Sequence, residues 1–242
     1  MKNLILFLLI LLPVSGFTQD ASSLLNDMDQ IIFGPKDKQG TIRITLVNKS
    51  GKEKIREATM LQKGTDRRLY RYTQPESQAG IATLSLPEGV MWLYMPAFGK
   101  PKKISLLAKS QAFTGTDFSY EDMATTPYAS RYVPALLDDV NGDYKLLLTP
   151  ISEKPQYSKI VVTLEKTHHY PLLMEYFDKG GRKYKEATYK YEKIGAYWNA
   201  SEVVMTNLKK QHKTIIDLMD IKFDQGLADE LFLVENLKPK EK

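Results

Sequence analysis

The feature that most constrains this chain is a two-residue alternation of apolar and polar side chains that starts near residue 41 and returns along most of the sequence. Ile42, Ile44 and Leu46 alternate with polar residues, and turn-forming residues follow at 48–51. Successive side chains of a strand point to opposite faces, so this period predicts half-buried strands joined as antiparallel hairpins. The predicted strands are 41–47, 55–62, 68–73, 81–86, 90–95, 143–149, 159–166, 171–178, 183–191, 196–206 and 213–223.

Two segments outside this meander have a different pattern. Residues 20–33 carry apolar side chains at spacings of three and four, which predicts an amphipathic N-terminal helix. In residues 113–139 the alternation weakens: Ser119 and Asp122 form a helix-capping pattern, and 128–138 is predicted as a second short helix broken by a proline. We therefore expect a mainly β (α+β) domain, a curved antiparallel sheet of about eleven strands with an N-terminal helix and a helical lid insertion over an apolar cavity.

The N-terminus has the layout of a secretory signal. A lysine precedes an apolar run at 4–12, and small residues follow near a cleavage point after Gly16 or Thr18. The run is shorter than the roughly 20 residues that span a bilayer. We predict a signal peptide at 1–18, a single domain at 19–242 and, since the short signal is typical of a bacterium, export to the periplasm.

Composition excludes several classes of function. The chain has no cysteine, which excludes disulfides, thiol catalysis and a lipid attached to an N-terminal cysteine. Its 34 basic and 29 acidic residues are mixed along the sequence, without the basic stripe that is typical of a nucleic-acid binder. No catalytic motif is present, and the adjacent His168 and His169 would point to opposite faces of a strand. We therefore predict no enzymatic activity, no cofactor, no metal and no nucleic-acid partner.

One acidic segment allows two interpretations. Asp117, Glu121 and Asp122 carry the oxygen ligands that a hard cation prefers. Alternatively, the polar residues cap backbone amides while Phe118 and Tyr120 pack inward. The order of the residues favours capping, because it does not match a calcium loop.

One predicted strand is apolar on both faces, with Met91, Leu93 and Met95 on one side and Trp92 and Tyr94 on the other. These five side chains are candidates for the lining of a lipid-binding cavity. Methionine is unbranched and adapts to varied apolar partners, which favours that interpretation. Ordinary core packing is the alternative.

Three lysines follow this strand, Lys100, Lys102 and Lys103. They are candidates for contact with anionic headgroups or with an acidic partner. A solvated hairpin end is the alternative.

Two sequence runs in the middle of the chain carry a family pattern. The first, WLYMPAFGKPKKI at 92–104, fits W-L-Y-x-P-x-x-x-K/R-x-x-R/K-I through Trp92, Leu93, Tyr94, Pro96, Lys100, Lys103 and Ile104. The second, FTGTDFSYEDM at 113–123, fits G-T-D-F-x-Y-E-D through Gly115, Thr116, Asp117, Phe118, Tyr120, Glu121 and Asp122. Together they resemble the LolA-like family of outer-membrane lipoprotein-sorting proteins, in outline from about residue 20 to residue 237.

This resemblance implies an open half-barrel with helices forming a lid over an apolar cavity. It implies a periplasmic carrier that holds the acyl chains of lipoproteins or lipids and moves them towards the outer membrane, with only transient membrane contact. It further implies a partner among inner-membrane exporters of the resistance-nodulation-division type. A related half-barrel occurs in periplasmic regulators of envelope stress, so a sensor or interaction module is the alternative function.

Overall fold

The computed structural model describes residues 20–140 and 142–239, in which one long sheet packs against one α-helix. Helix α1 spans Ala21–Phe33. The predicted signal segment at 1–18 lies outside the described residues. The strands are β1 (Asp37–Val47), β2 (Glu53–Lys63), β3 (Arg67–Gln74), β4 (Ala82–Leu86), β5 (Val90–Tyr94), β6 (Lys102–Lys103), β7 (Tyr132–Val140), β8 (Asp143–Pro150), β9 (Lys159–Leu164), β10 (Pro171–Phe177), β11 (Lys183–Ile194), β12 (Tyr197–Asn207) and β13 (His212–Phe223).

The 13 strands form one open, curved, antiparallel sheet in the order β6-β5-β4-β3-β2-β1-β13-β12-β11-β10-β9-β8-β7. The first and last strands of the chain meet in the middle of the sheet, where Ile44 of β1 lies opposite Ile216 of β13. The edges are therefore β6 and β7. Each of the eleven predicted strands overlaps an observed strand. The expected number of strands is too low by two, because the edge strands β6 and β7 were not predicted. No helix among the described residues has the length and apolar character of a membrane span.

The second predicted short helix, at 128–138, is wrong, because most of that segment forms the edge strand β7. Its residues pair with β8 from Tyr132 opposite Pro150 to Leu137 opposite Lys145. Pro134 lacks a backbone N–H, which a central strand would need but an edge strand does not. The other missed strand, β6, has two residues, too few for any period to show.

The expected helical lid insertion is also not observed. Residues 104–131, here called the inner loop, contain short 3₁₀ turns at Leu106–Ser110 and Phe113–Gly115 and otherwise bends and turns. The reciprocal bonds of the capping pattern do form, from Ser119 N to Asp122 Oδ2 (2.8 Å) and from Asp122 N to Ser119 Oγ (3.0 Å). No α-helix follows them, and a proline five residues later at 127 disfavours helical geometry in the residue before it.

One face of the sheet carries the main core, and the other face carries a smaller core over strands β2–β5. The face that carries α1 and the inner loop, here called the inner face, includes Met60 of β2 and its cross-strand partner Tyr70 of β3. The adjacent pair, Leu61 and Leu69, belongs to a second apolar core. Neighbouring residues of a strand point to opposite sides, so this second core lies on the outer face, where the C-terminal Phe232 covers it.

Candidate ligand-binding site

An apolar cavity of about 160 Å³ lies between the C-terminal end of α1, the inner face of the sheet and the inner loop. Helix, loop and sheet each contribute walls, with Ile32 and Phe33 from α1 and Phe118 and Met123 from the inner loop. The apolar and aromatic lining from the sheet consists of Ile42, Met60, Tyr70, Tyr189, Tyr191, Trp198, Ala200, Val203, Ile216 and Leu218.

The aromatic wall of this cavity is uncharged. Burial raises the pKa of Tyr189 and of Tyr191 far above the ordinary phenol value, so both hydroxyls keep their protons at neutral pH. Tyr191 stacks on Tyr170, with ring centroids 4.4 Å apart, and Trp198 lies 5.1 Å from Tyr170. These side chains offer apolar surface with no negative charge.

Two cations line the same cavity, Lys38 of β1 and Arg68 of β3. The Arg68 guanidinium donates to Oε1 of Gln62 (2.6 and 3.1 Å) and to the Tyr70 hydroxyl (3.4 Å). The Lys38 ammonium lies 5.6 Å from the centroid of the Phe223 ring. Burial, together with the neighbouring Arg68 charge, lowers the pKa of Lys38 to about 7.

Two further charged residues line the cavity on the inner-loop side, Asp122 and Arg131, and both are paired with protein groups. The Asp122 carboxylate accepts hydrogen bonds from the Tyr157 hydroxyl (2.8 Å) and from the Ser119 amide. The Arg131 guanidinium lies 3.6 Å from Glu121 and above the Tyr128 ring, 4.7 Å from its centroid. The bond to Tyr157 ties the inner loop to the connection between β8 and β9, and the Arg131 contacts lie within the loop itself.

Within the family motif, Asp117 joins the inner loop to two strands. Asp117 is 5% exposed, and its carboxylate lies 2.7 Å from His212 Nδ1 and accepts a 2.8 Å hydrogen bond from the Thr214 hydroxyl. Its backbone N–H donates to Thr214 Oγ1 (2.9 Å), and its carbonyl accepts from Lys185 Nζ (2.7 Å). The backbone N–H, the carbonyl and Oδ2 of Asp117 are therefore all engaged with protein partners.

The other motif residues shape the loop around this anchor. Gly115 has φ of +81°, a left-handed conformation that favours glycine. The Thr116 hydroxyl donates to the Phe113 carbonyl (2.8 Å). Phe118 and Tyr120 are buried in the main core, as the capping interpretation expects. No group of three His, Asp or Glu side chains in the described part of the chain is arranged to hold a metal ion.

The candidate lining residues of β5 and its end lie elsewhere. Met91 is buried in the main core, Leu93 and Met95 are partly buried, and Trp92 and Tyr94 pack in the outer-face core. None of the five lines the cavity described above. Their role in lipid binding stays a prediction.

The candidate headgroup lysines are exposed at the β6 edge of the sheet and do not line the cavity either. Lys100 lies in the preceding loop, and Lys102 and Lys103 form β6 itself. The Lys102 ammonium lies 4.2 Å from the centroid of the Phe98 ring. Contact with a headgroup or an acidic partner stays a prediction for these three.

Sequence reasoning missed Lys38 and Arg68, although a signal for them exists. Continuing the alternation of Ile42 and Ile44 backwards places Lys38 on the apolar side of β1. Arg68 stands two residues before Tyr70 and therefore lies on the same side of β3 as that aromatic residue. A cation on the apolar face of an alternating strand is unusual enough to mark a candidate site.

Comparisons with known proteins give a consistent group of relatives. A family model whose description reads only "Uncharacterized protein" matches residues 64–239. A domain from Vibrio parahaemolyticus assigned to the outer membrane lipoprotein-sorting proteins is 30% identical, covers 83% of this chain and 91% of its own, and superposes with a TM-score of 0.77. No curated protein matches the chain.

Two further solved structures have the same fold. A DUF1329 family protein from Desulfovibrio piger ATCC 29098 is 26% identical, with a TM-score of 0.84 over 90% of this chain and 98% of its own. A LolA superfamily protein from Nitrosomonas europaea is 24% identical, with a TM-score of 0.76 over 90% of this chain and 99% of its own. The open curved sheet is thus shared across the group.

Proposed function

Because the chain belongs to the LolA-like family of outer-membrane lipoprotein-sorting proteins, we propose that it is a periplasmic carrier that binds acyl chains of a lipoprotein or a lipid. Binding takes place in the cavity between α1, the inner face and the inner loop. Carriage requires no covalent step, so the proposal assigns no catalytic residue. The direction of transport, towards the outer membrane, is part of the proposal and rests on the name of the relative from Vibrio.

The observation that carries this proposal is the apolar wall of the cavity. Each methylene group transferred from water to such a wall contributes about 0.8 kcal/mol. Tyr189, Val203 and Leu218 form this wall without a negative charge, and the charged side chains of the lining lie elsewhere in the cavity.

The size of the cavity limits what it holds in this conformation. A volume of about 160 Å³ is close to the roughly 150 Å³ that admits benzene. It therefore accepts one short stretch of a chain. A complete acyl chain requires α1 or the inner loop to move away from the sheet.

The cellular setting completes the proposal. The predicted signal peptide at 1–18 would place the mature protein in the periplasm. Contact with an exporter of the resistance-nodulation-division type, and the alternative function as an envelope-stress sensor, stay predictions.

The test is lipid occupancy of a variant whose cavity is filled. Ala200 on β12 is the cross-strand neighbour of Tyr191 on β11 and lines the cavity, so Ala200→Phe places a ring in the cavity. We expect the wild-type protein, purified mildly and extracted, to yield fatty acids or phospholipids by mass spectrometry, and A200F to yield several times less. The matched control is Ala135→Phe on β7, where the added ring is exposed. A folded wild-type protein that neither carries nor binds acyl chains would overturn the proposal.

A further inference from the structure

Lys38, Gln62 and Arg68 form a polar row across three neighbouring strands of the inner face. Lys38 of β1 lies opposite Gln62 of β2, and Gln62 lies opposite Arg68 of β3. All three side chains line the apolar cavity, next to Phe33 and Leu218. One wall of an otherwise apolar cavity is therefore built from two cations and an amide.

The two cations of this row have no negative partner in the described part of the chain. Arg68 donates only to uncharged acceptors, the side chains of Gln62 and Tyr70. Lys38 contacts the Phe223 ring, and no carboxylate of the described residues pairs with it. The Gln62 amide nitrogen donates to the Ile32 carbonyl, 3.4 Å away. Gln62 therefore does not offer this donor to a bound anion.

The remaining charges of the lining do not neutralise the row. Among the described lining residues Asp122 carries the one carboxylate, and Tyr157 and Ser119 already donate to it. The third cation, Arg131, is paired with Glu121. The polar row thus contributes positive charge that no carboxylate among the described lining residues balances.

We propose that Lys38 and Arg68 bind the anionic headgroup of an amphiphile whose alkyl chain occupies the cavity. The headgroup class is a carboxylate or a phosphate ester. This inference rests on the proposed function and narrows its cargo to anionic lipids, as opposed to neutral or cationic ones.

The energetics favour such a ligand. Keeping a cation in an apolar site without a counter-ion is costly, and the lowered pKa of Lys38 reflects that cost. A carboxylate or phosphate between the two cations accepts charge-assisted hydrogen bonds, and the planar fork of Arg68 suits two oxygens of one anion. The chain beyond the headgroup then lies against Tyr189 and Val203.

The experiment compares probes that share one chain and differ in the headgroup. Delipidated mature protein is titrated by calorimetry with decanoate, decyl phosphate, 1-decanol and decyltrimethylammonium below their micelle concentrations, and with inorganic phosphate alone. We expect the two anionic probes to bind about tenfold more tightly than decanol, the cationic probe to bind most weakly and inorganic phosphate to bind much more weakly than decyl phosphate.

Substitutions in the polar row test whether its two cations cause the preference for anionic probes. Lys38→Met and Arg68→Met should reduce the ratio of decanoate to decanol affinity to about one, and Lys38→Arg should keep most of that ratio. The matched control is Lys36→Met, since the Lys36 side chain is exposed and outside the cavity. Thermal unfolding verifies that each variant is folded.

Each other outcome overturns a distinct claim. Equal binding of all decyl probes by the wild type contradicts the headgroup inference and leaves the carrier proposal intact. A preference that survives in K38M and R68M contradicts the role of the row. Inorganic phosphate binding as tightly as decyl phosphate assigns the row to a free anion. Absence of binding by any probe overturns both the inference and the carrier proposal.

Discussion

The carboxylate of Asp29 on α1 accepts a hydrogen bond from the backbone amide of Ala129 (2.8 Å) and so ties the helix to the inner loop. Its second oxygen accepts from the backbone amide of Tyr128 (2.9 Å). Burial raises the pKa of Asp29 above the ordinary carboxyl value, although both hydrogen bonds oppose the rise. Since α1 and the inner loop both form walls of the cavity, this link fixes the two walls relative to each other.

Removing the Asp29 carboxylate should destabilise the fold and open the cavity. In Asp29→Ala two amides of the inner loop lose their acceptor, which costs about 2–3 kcal/mol in the free energy of unfolding. Urea denaturation measures the loss, and hydrogen exchange should accelerate at the amides of Tyr128 and Ala129. Asn26→Ala, an exposed change on the same helix, should stay within about 0.5 kcal/mol of the wild type. Equal stability of the two variants would contradict the link.

Asp117 should prove to be an anchor of the inner loop and not a ligand for cargo. Asp117→Ala leaves the Thr214 hydroxyl and the His212 ring without their shared acceptor, so we expect a loss of about 3 kcal/mol in stability. Differential scanning calorimetry gives the change, and the exposed Asp20→Ala, whose side chain makes no capping bond, is the control. A D117A protein of wild-type stability that no longer binds acyl chains would instead assign the motif to the binding site.

Part of this architecture could be predicted from local sequence. Ile42, Ile44 and Leu46 alternate because β1 has one face in the main core, and such a pattern is visible without knowledge of the partner strands. The strand at Pro134 could not be predicted in that way, because a proline is tolerated there only at the edge of the sheet.

The polar row needed tertiary information. Lys38 is visible in the sequence as one basic residue among many, and its meaning depends on the register that sets it beside Gln62 and Arg68. The cavity depends further on α1 and the inner loop, which approach the sheet from distant parts of the chain. Strand β5, which contains Trp92, is apolar on both sides because each of its faces packs in a core. The sequence pattern alone does not distinguish such packing from a ligand-binding face.

Anion binding should weaken as the pH rises through the pKa of Lys38. The ammonium form attracts an anion, and in the ligand-free protein half of it is lost at about pH 7. Among the other lining groups, the pKa values of Arg131 and Tyr191 are raised above their ordinary values, so both side chains stay protonated from pH 6 to pH 9. Decyl sulfate, whose charge is constant in this range, should bind roughly tenfold more weakly at pH 9 than at pH 6. Lys38→Met should remove most of this pH dependence. If the affinity of K38M for decyl sulfate still falls with pH as in the wild type, Lys38 is not the group responsible.

Lys38 also determines how the free energy of unfolding of the ligand-free protein changes with pH. The pKa of Lys38 is lower in the folded protein than the value of about 10.4 in an unfolded chain, so between these values the unfolded chain binds more protons. The free energy of unfolding of the wild type should therefore rise with pH from about 7 towards 10 relative to K38M. Urea unfolding at pH 7 and pH 9.5 measures the difference. A relative decrease would mean that Lys38 is stabilised as an ammonium.

The central claim, that an alkyl chain lies in the cavity on the inner face, is tested most directly by tryptophan fluorescence. The chain has 2 tryptophans, of which Trp198 lines the cavity and Trp92 packs in the outer-face core. A bromine-labelled fatty acid quenches a tryptophan only at short range. We predict saturable quenching in Trp92→Phe, where Trp198 remains, and none in Trp198→Phe, where Trp92 remains. Quenching of Trp92 alone, equal quenching of both, or no quenching of either would contradict a chain bound in this cavity.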